Sequence, residues 1–288
     1  MNNIFQEFID ASNELDELTA DGYFGEEIKL LVNKRDSIQT NEYLFEILKS
    51  WYEDKKQFNK ERVKELILIF LNLYIESYKV GRQESIDIMT AFFKGTIENP
   101  EIECMSAYTE LSILFTNVKH MIETIDSSKI ADKKRFANAI SNTYSKGVEF
   151  IGKTLTTCIV LKQIANKEPY NYYKIYNLTI FDKVKEFTKD ENSKHKDLIS
   201  IINRNLRNSE AHLSLRFNTK DNEYLLKKKS NGKIKIDRIP ADIMIKELYI
   251  GIGLYTQAFI YSGILFTLAH DNKELFIESV KNIFGNIK

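Results

Sequence analysis

The sequence predicts an all-α protein: a helical N-terminal domain over residues 1–130, then a helical bundle over residues 131–288 that carries a β-hairpin. Three observations predict it. The 288 residues hold 3 prolines and 11 glycines, too few to punctuate a many-stranded fold. Apolar side chains recur at helical spacing through most of the chain. One stretch, 223–239, breaks that spacing around Asn231-Gly232, a dipeptide that tolerates the positive φ angles of a two-residue hairpin turn.

The elements follow in order. Residues 1–125 read as a helical bundle. Residues 40–56 set Tyr43, Leu44, Ile47, Leu48 and Trp51 on one face, with Thr40 as the expected N-cap, because its hydroxyl can accept from an early backbone N–H. Residues 59–80 set Val63, Leu66, Ile67, Phe70, Leu71 and Tyr74 at i, i+3, i+4 spacing. Residues 84–98 and 101–125 continue the pattern, broken at Asn99-Pro100. The polar run 126–135 marks the domain boundary. A long helix from Phe136 to Ile164 is expected next, ended by Glu168-Pro169, because the residue before proline is driven out of the helical region. Helices at about 172–190 and 194–213 come before the hairpin. After Pro240, residues 248–269 contain no charged side chain. A run of about 20 apolar residues can cross a bilayer, but Thr256, Gln257, Ser262 and three tyrosines favour a buried central helix. Gly251, Gly253 and Gly263 would let another element approach it closely.

Composition narrows the function. The chain balances 41 basic against 41 acidic residues, which disfavours bulk nucleic-acid binding; no DNA partner is expected. The balance hides an asymmetry: residues 1–135 carry a net charge of −8 and residues 136–288 one of +8. A basic face can therefore come only from the second half. Cys104 and Cys158 are too few for a disulfide framework and form no metal-binding spacing. The first residues show no basic segment followed by an apolar run, so no signal peptide is expected, and the cytoplasm is the expected location. Phosphate-cradling glycine loops, H-E-x-x-H and G-x-S-x-G are all missing from the sequence. No metal and no cofactor is expected.

Of the four histidines, His120 falls in an amphipathic helix, His195 in a solvated basic turn, and His270 at the end of the apolar run. His212 differs. It closes the polar cluster Leu206-Arg207-Asn208-Ser209-Glu210-Ala211-His212, on a helix whose buried face is marked by Ile199, Ile202 and Leu206. Arg207 and His212 lie five residues apart, about 140° around an ideal helix. A distorted helix end, or two copies meeting on an axis, would bring such groups together. The pair suits RNA cleavage. Histidine exchanges protons near neutral pH, and arginine presents fixed donors to phosphate oxygens.

This segment resembles the R-x4-6-H motif of the HEPN-superfamily ribonucleases, whose common form Leu-Arg-Asn-x-x-Ala-His it matches. The resemblance covers about residues 136–288, including the long helix before the motif and the apolar helix after it. The hairpin at 223–239 departs from the minimal four-helix pattern. The resemblance implies a HEPN-like bundle, a homodimer with two motifs facing one composite site, and metal-independent endoribonuclease activity in bacterial defence, as in toxins and abortive-infection proteins. Arg207 would stabilise phosphate charge, His212 would act as general acid or base, and Asn208 would orient one of them or touch phosphate. The products would be a 2′,3′-cyclic phosphate and a 5′-hydroxyl. An antitoxin or a phage-derived trigger is the implied regulator.

Arg204, Arg216, Lys194, Lys196, Lys227, Lys228, Lys229, Lys233 and Lys235 could line an RNA path; equally, the hairpin lysines could shield a sheet edge. Glu149, with Lys146 and Lys153 on neighbouring turns, is expected to face the motif from the preceding helix. The acidic first half is expected to gate the site or dock its trigger. Two rivals remain: a non-catalytic HEPN-like interaction protein, and a membrane-associated protein anchored by 248–269.

Overall fold

A computed structural model describes residues 3–285 apart from 36, 56, 191, 192, 212, 213, 231 and 232, with the side chains of residues 193, 209–211, 229 and 230 also set aside. The protein is all-α with one small antiparallel sheet. The elements run α1 (Gln6–Ala20), α2 (Glu26–Arg35), α3 (Thr40–Glu53), α4 (Lys60–Val80), α5 (Arg82–Lys94), a 3₁₀ turn at Pro100–Ile102, α6 (Met105–Thr124), α7 (Ile130–Ala165), α8 (Tyr172–Tyr176), α9 (Ile180–Phe187), α10 (Ser193–Leu198) and α11 (Arg204–Ala211). Then come β1 (Leu215–Asn218), β2 (Glu223–Ser230), β3 (Lys233–Pro240), α12 (Ala241–Ile243), a π-helical stretch (Met244–Tyr249), α13 (Ile250–Asp271) and α14 (Lys273–Phe284).

The first helices follow their expected stripes, with local corrections. The N-cap of α3 is Gln39, whose backbone N–H donates to Glu42 Oε2 at 3.3 Å in a capping box; Thr40 is the first helical residue. The long helix starts at Ile130, inside the polar run. The segments 172–190 and 194–213 are each two short helices, and capping side chains explain why. Thr179 Oγ1 accepts from the Asp182 N–H, starting α9. Asn203 Oδ1 accepts from the Leu206 N–H at 3.0 Å, starting α11. Such side chains satisfy the unpaired N–H groups of a new helix and compete with continuing the old one. Ile199 and Ile202 therefore lie in the turn between α10 and α11. The hairpin is present as β2 and β3, and β1 adds a third strand that the sequence reading missed, in the order β1-β2-β3. Asn231 and Gly232 lie outside the described residues.

The chain divides into two compact units built from separated segments: Met1–Thr109, Thr154–Asn177 and Leu254–Lys288 form one, and Glu110–Lys153 with Leu178–Gly253 forms the other. In the first unit, α13 is enclosed by helices from the beginning of the chain. Phe259 meets Phe70 of α4 and Phe92 of α5 at ring distances of 5.3 and 5.0 Å. Tyr261 meets Trp51 of α3 at 4.9 Å. Tyr255 packs on Phe70, and its hydroxyl lies 2.7 Å from Thr154 Oγ1. A helix with no charged face must be covered on most sides. Among the described residues, Ala241–Asp271 is the one stretch long and apolar enough to cross a bilayer, and 61% of its most apolar window is buried inside the protein.

In the second unit, the first part of α7 is the hub. Gly147 lets Ile252 close in: a Cβ at Gly147 would stand 2.1 Å from Ile252 Cγ2. Gly251 similarly admits Ile201, at 2.6 Å from a notional Cβ. Gly253 and Gly263 have their nearest neighbours at 3.6 and 3.7 Å, an ordinary contact. Tyr224 of β2 is buried and donates its hydroxyl to Ala137 O at 2.9 Å, which fixes the sheet to α7.

Candidate active site on the second unit

The site begins at the entry to α11. Tyr144, buried on α7, donates its hydroxyl to Ile201 O at 2.9 Å and accepts from the Asn203 N–H at 2.7 Å. One phenol thus ties down both sides of the turn that launches α11. Burial pushes that phenol up to about 12, so it stays protonated and keeps its donor role. Asn203 then caps the helix through its side chain, and its carbonyl accepts from the Arg207 N–H at 3.1 Å. Leu206 is buried beneath. The direction of α11 is therefore set at its first turn.

Arg207 projects from this helix toward α7. Its Nη2 lies 3.8 Å from Glu149 Oε1, and the other carboxylate oxygen, Glu149 Oε2, accepts from Lys146 Nζ at 3.3 Å. The Arg207 side chain is 34% exposed and Glu149 48%, so the cluster is open to a solution ligand while the carboxylate limits how the guanidinium turns. The expectation that Glu149 faces the motif holds for Arg207. Asn208 is half-buried on the same helix. His212 lies outside the described residues.

The candidate RNA contacts divide between two places. Arg204 stacks on the Phe181 ring of α9, 4.7 Å from its centroid, and is exposed. The register of the sheet, with alternate side chains on opposite faces, sorts the others. Asn205 of α11 reaches Asp237 Oδ2 at 3.5 Å, so α11 covers the face bearing Tyr224, Leu226, Lys228 and Asp237. Lys228 is ion-paired to Asp237 on that covered face. Arg216 and Lys227 point the other way, to the open face, and both are exposed. The Lys229 side chain lies outside the described residues.

His120 is exposed on α6. His195 is not in a solvated turn: it lies on α10, its ring 4.6 Å from that of Phe187, with its side chain only 13% exposed. His270 Nδ1 is 3.2 Å from the Tyr78 hydroxyl. Lys194, Lys196, Lys233 and Lys235 are exposed. Among the described residues no group of three or more His, Cys, Asp or Glu side chains is placed to hold a metal.

Sequence reasoning missed Tyr144, Phe181 and the capping role of Asn203. Asn203 had a signal, an asparagine three residues ahead of a buried leucine; Tyr144 had none beyond its place on an apolar stripe. No protein-family model, no curated protein and no solved structure matches the chain.

Proposed function

We propose that the chain is a metal-independent endoribonuclease of the HEPN type that works in bacterial defence, in the cytoplasm, as a homodimer. The observation that carries this proposal is the Arg207 cluster. A guanidinium five residues ahead of a histidine is held on a capped helix, pointed at a carboxylate of the long helix, and left open to solution. Such an arginine offers paired donors to a phosphate whose charge grows in the transition state.

The chemistry needs little else from the protein. The ribose 2′-hydroxyl gives up its proton to a base and attacks the neighbouring phosphorus. The bond to the 5′-oxygen breaks, and that oxygen takes a proton from an acid. The products are a 2′,3′-cyclic phosphate and a 5′-hydroxyl. His212 serves as base or acid, Arg207 steadies the phosphorane oxygens, and Asn208 orients one of these groups or contacts phosphate. A second copy of His212 across a twofold axis supplies the complementary proton transfer. Arg204, held over the Phe181 ring, extends the positive surface next to Arg207. Arg216, Lys227 and Lys229 are the further RNA contacts proposed, while Lys228, held by Asp237 on the face that α11 covers, is left out of the RNA path.

The experiment is cleavage of purified RNA in the presence of EDTA, wild type beside His212→Ala and Arg207→Ala, with circular dichroism to confirm folding. Cyclic-phosphate products from wild type, and their loss by roughly 10²–10⁴-fold in His212→Ala, are expected. Wild-type rates in both variants would remove the assignment. Folded wild-type protein that cleaves no RNA tested would favour the interaction-protein reading.

A further inference from the structure

The outer edge of the sheet points to a second copy of this chain. β3 is an eight-residue strand at one end of the sheet, and among the described residues nothing pairs with its far side. The direction of its free groups follows from the neighbouring strand. The Lys227 N–H donates to Ser214 O at 3.1 Å, so Lys227 turns its backbone groups toward β1. Its partner in β3, Ile236, is then in a non-hydrogen-bonded pair and turns its own N–H and C=O outward. By alternation Ile234 and Arg238 do the same. Pro240 occupies the next such position, where its missing N–H costs no bond within the sheet. The outward-facing isoleucines are also bare, with Ile234 72% and Ile236 52% exposed.

A long edge of this kind pairs readily with another strand unless its charges forbid it. Antiparallel pairing of two identical strands about a twofold axis must centre on one residue, because side chains directly opposite share a face. Centring on Lys235 sets lysine against lysine, and centring on Asp237 sets aspartate against aspartate. Centring on Ile236 sets Lys235 against Asp237 twice, Ile236 against Ile236, and Ile234 against the aliphatic stem of Arg238. It also joins the outward N–H and C=O groups of Ile234, Ile236 and Arg238 in reciprocal pairs.

We propose that β3 pairs with β3 of a second copy in the register centred on Ile236, forming a continuous six-stranded sheet. Both copies then carry α11 on the same side of that sheet. This pairing is the contact that holds the proposed homodimer together, and it stands whether or not the chain cleaves RNA.

Two charge variants of the full-length protein test it by sedimentation and light scattering at high micromolar concentration. Wild type should be dimeric. Lys235→Asp, which sets carboxylate against carboxylate, and Asp237→Lys, which sets ammonium against ammonium, should each be monomeric. An equimolar mixture of the two should regain the dimer, since both opposed pairs are then complementary. Asp237→Lys also faces Lys228 within its own sheet, so Ile236→Cys provides a second route. In this register the two Ile236 Cα atoms would stand about 5.5 Å apart, within disulfide reach, and Cys104 and Cys158 are buried. Mild oxidation should cross-link Ile236→Cys into a covalent dimer on a denaturing gel and leave Lys233→Cys uncross-linked. Monomeric wild type would overturn the proposal. So would charge variants as dimeric as wild type, or cross-linking as efficient at position 233 as at 236.

Discussion

The Arg207 guanidinium stands 3.8 Å from the Glu149 carboxylate and couples the short helix α11 to the long helix α7. Both side chains are well exposed, so the pair contributes little to stability, on the order of 0–1 kcal/mol. Its effect is on orientation. Arg207→Ala is expected to lower RNA cleavage by about 10²–10³-fold, the cost of losing one transition-state donor, with a thermal midpoint close to wild type. Glu149→Gln keeps the shape and removes the charge. It should leave stability unchanged and lower the rate less than Arg207→Ala does. Single-turnover cleavage with matched melting curves checks both, and a large loss of stability in Arg207→Ala would show that the residue is structural.

Tyr144 joins α7 to the turn before α11 by two hydrogen bonds, to Ile201 O and from the Asn203 N–H. Tyr144→Phe removes both and leaves two part-buried backbone groups short of a partner. A destabilisation of about 1–3 kcal/mol is expected in denaturant unfolding. The amides of α11 should lose hydrogen-exchange protection before those of the rest of α7, because the loss is local to the turn.

Gly147 and Ile252 leave no room for a side chain between them. Gly147→Ala forces Ile252 or the backbone to move, at about 1–3 kcal/mol. Ile252→Ala removes the Cγ2 that the new methyl would meet, so the double variant should be more stable than the sum of the two single losses predicts. Gly263→Ala is the contrast. Its new methyl meets Phe93 Cζ no closer than 3.7 Å, and alanine favours the helix by up to about 1 kcal/mol. It should be neutral or stabilising.

Phe259 is buried between Phe70 and Phe92. Phe259→Ala is expected to cost about 3–5 kcal/mol. The same packing predicts the fate of a truncation. Removing residues 1–130 strips Trp51, Phe70 and Phe92 from α13 and exposes its apolar face. The truncated chain should partition into the insoluble fraction, while full-length protein stays in the supernatant. Gating by the acidic first half is therefore better tested by charge reversals on the exposed faces of α1 and α2 than by deletion.

The helices were legible because their cause is local. An apolar stripe such as Val63, Ile67, Phe70 and Tyr74 repeats every turn, and burial of that stripe is what stabilises the helix. The hairpin was legible for the same reason, through alternation around Asn231-Gly232. Where a single capping side chain interrupts a stripe, as Thr179 and Asn203 do, periodicity ran past the break, because a cap is one hydrogen bond and a stripe is many contacts. Strand β1 was invisible: four residues, Leu215–Asn218, carry too little pattern to stand apart from the helix end before them.

By itself, then, the sequence determined the all-α character, the position of the hairpin, and the spacing of Arg207, Asn208 and His212 along the chain. Tertiary structure alone decided which groups those residues meet. Tyr144 and Asn203 are 59 positions apart, and nothing in either neighbourhood names the other. It also decided that Lys228 lies on the covered face of the sheet and Lys227 on the open one, and that an uncharged helix late in the chain is enclosed by helices from its beginning. Local periodicity records that a face must be buried. The partner that buries it is selected only when the chain closes its long loops and the competing packings are compared.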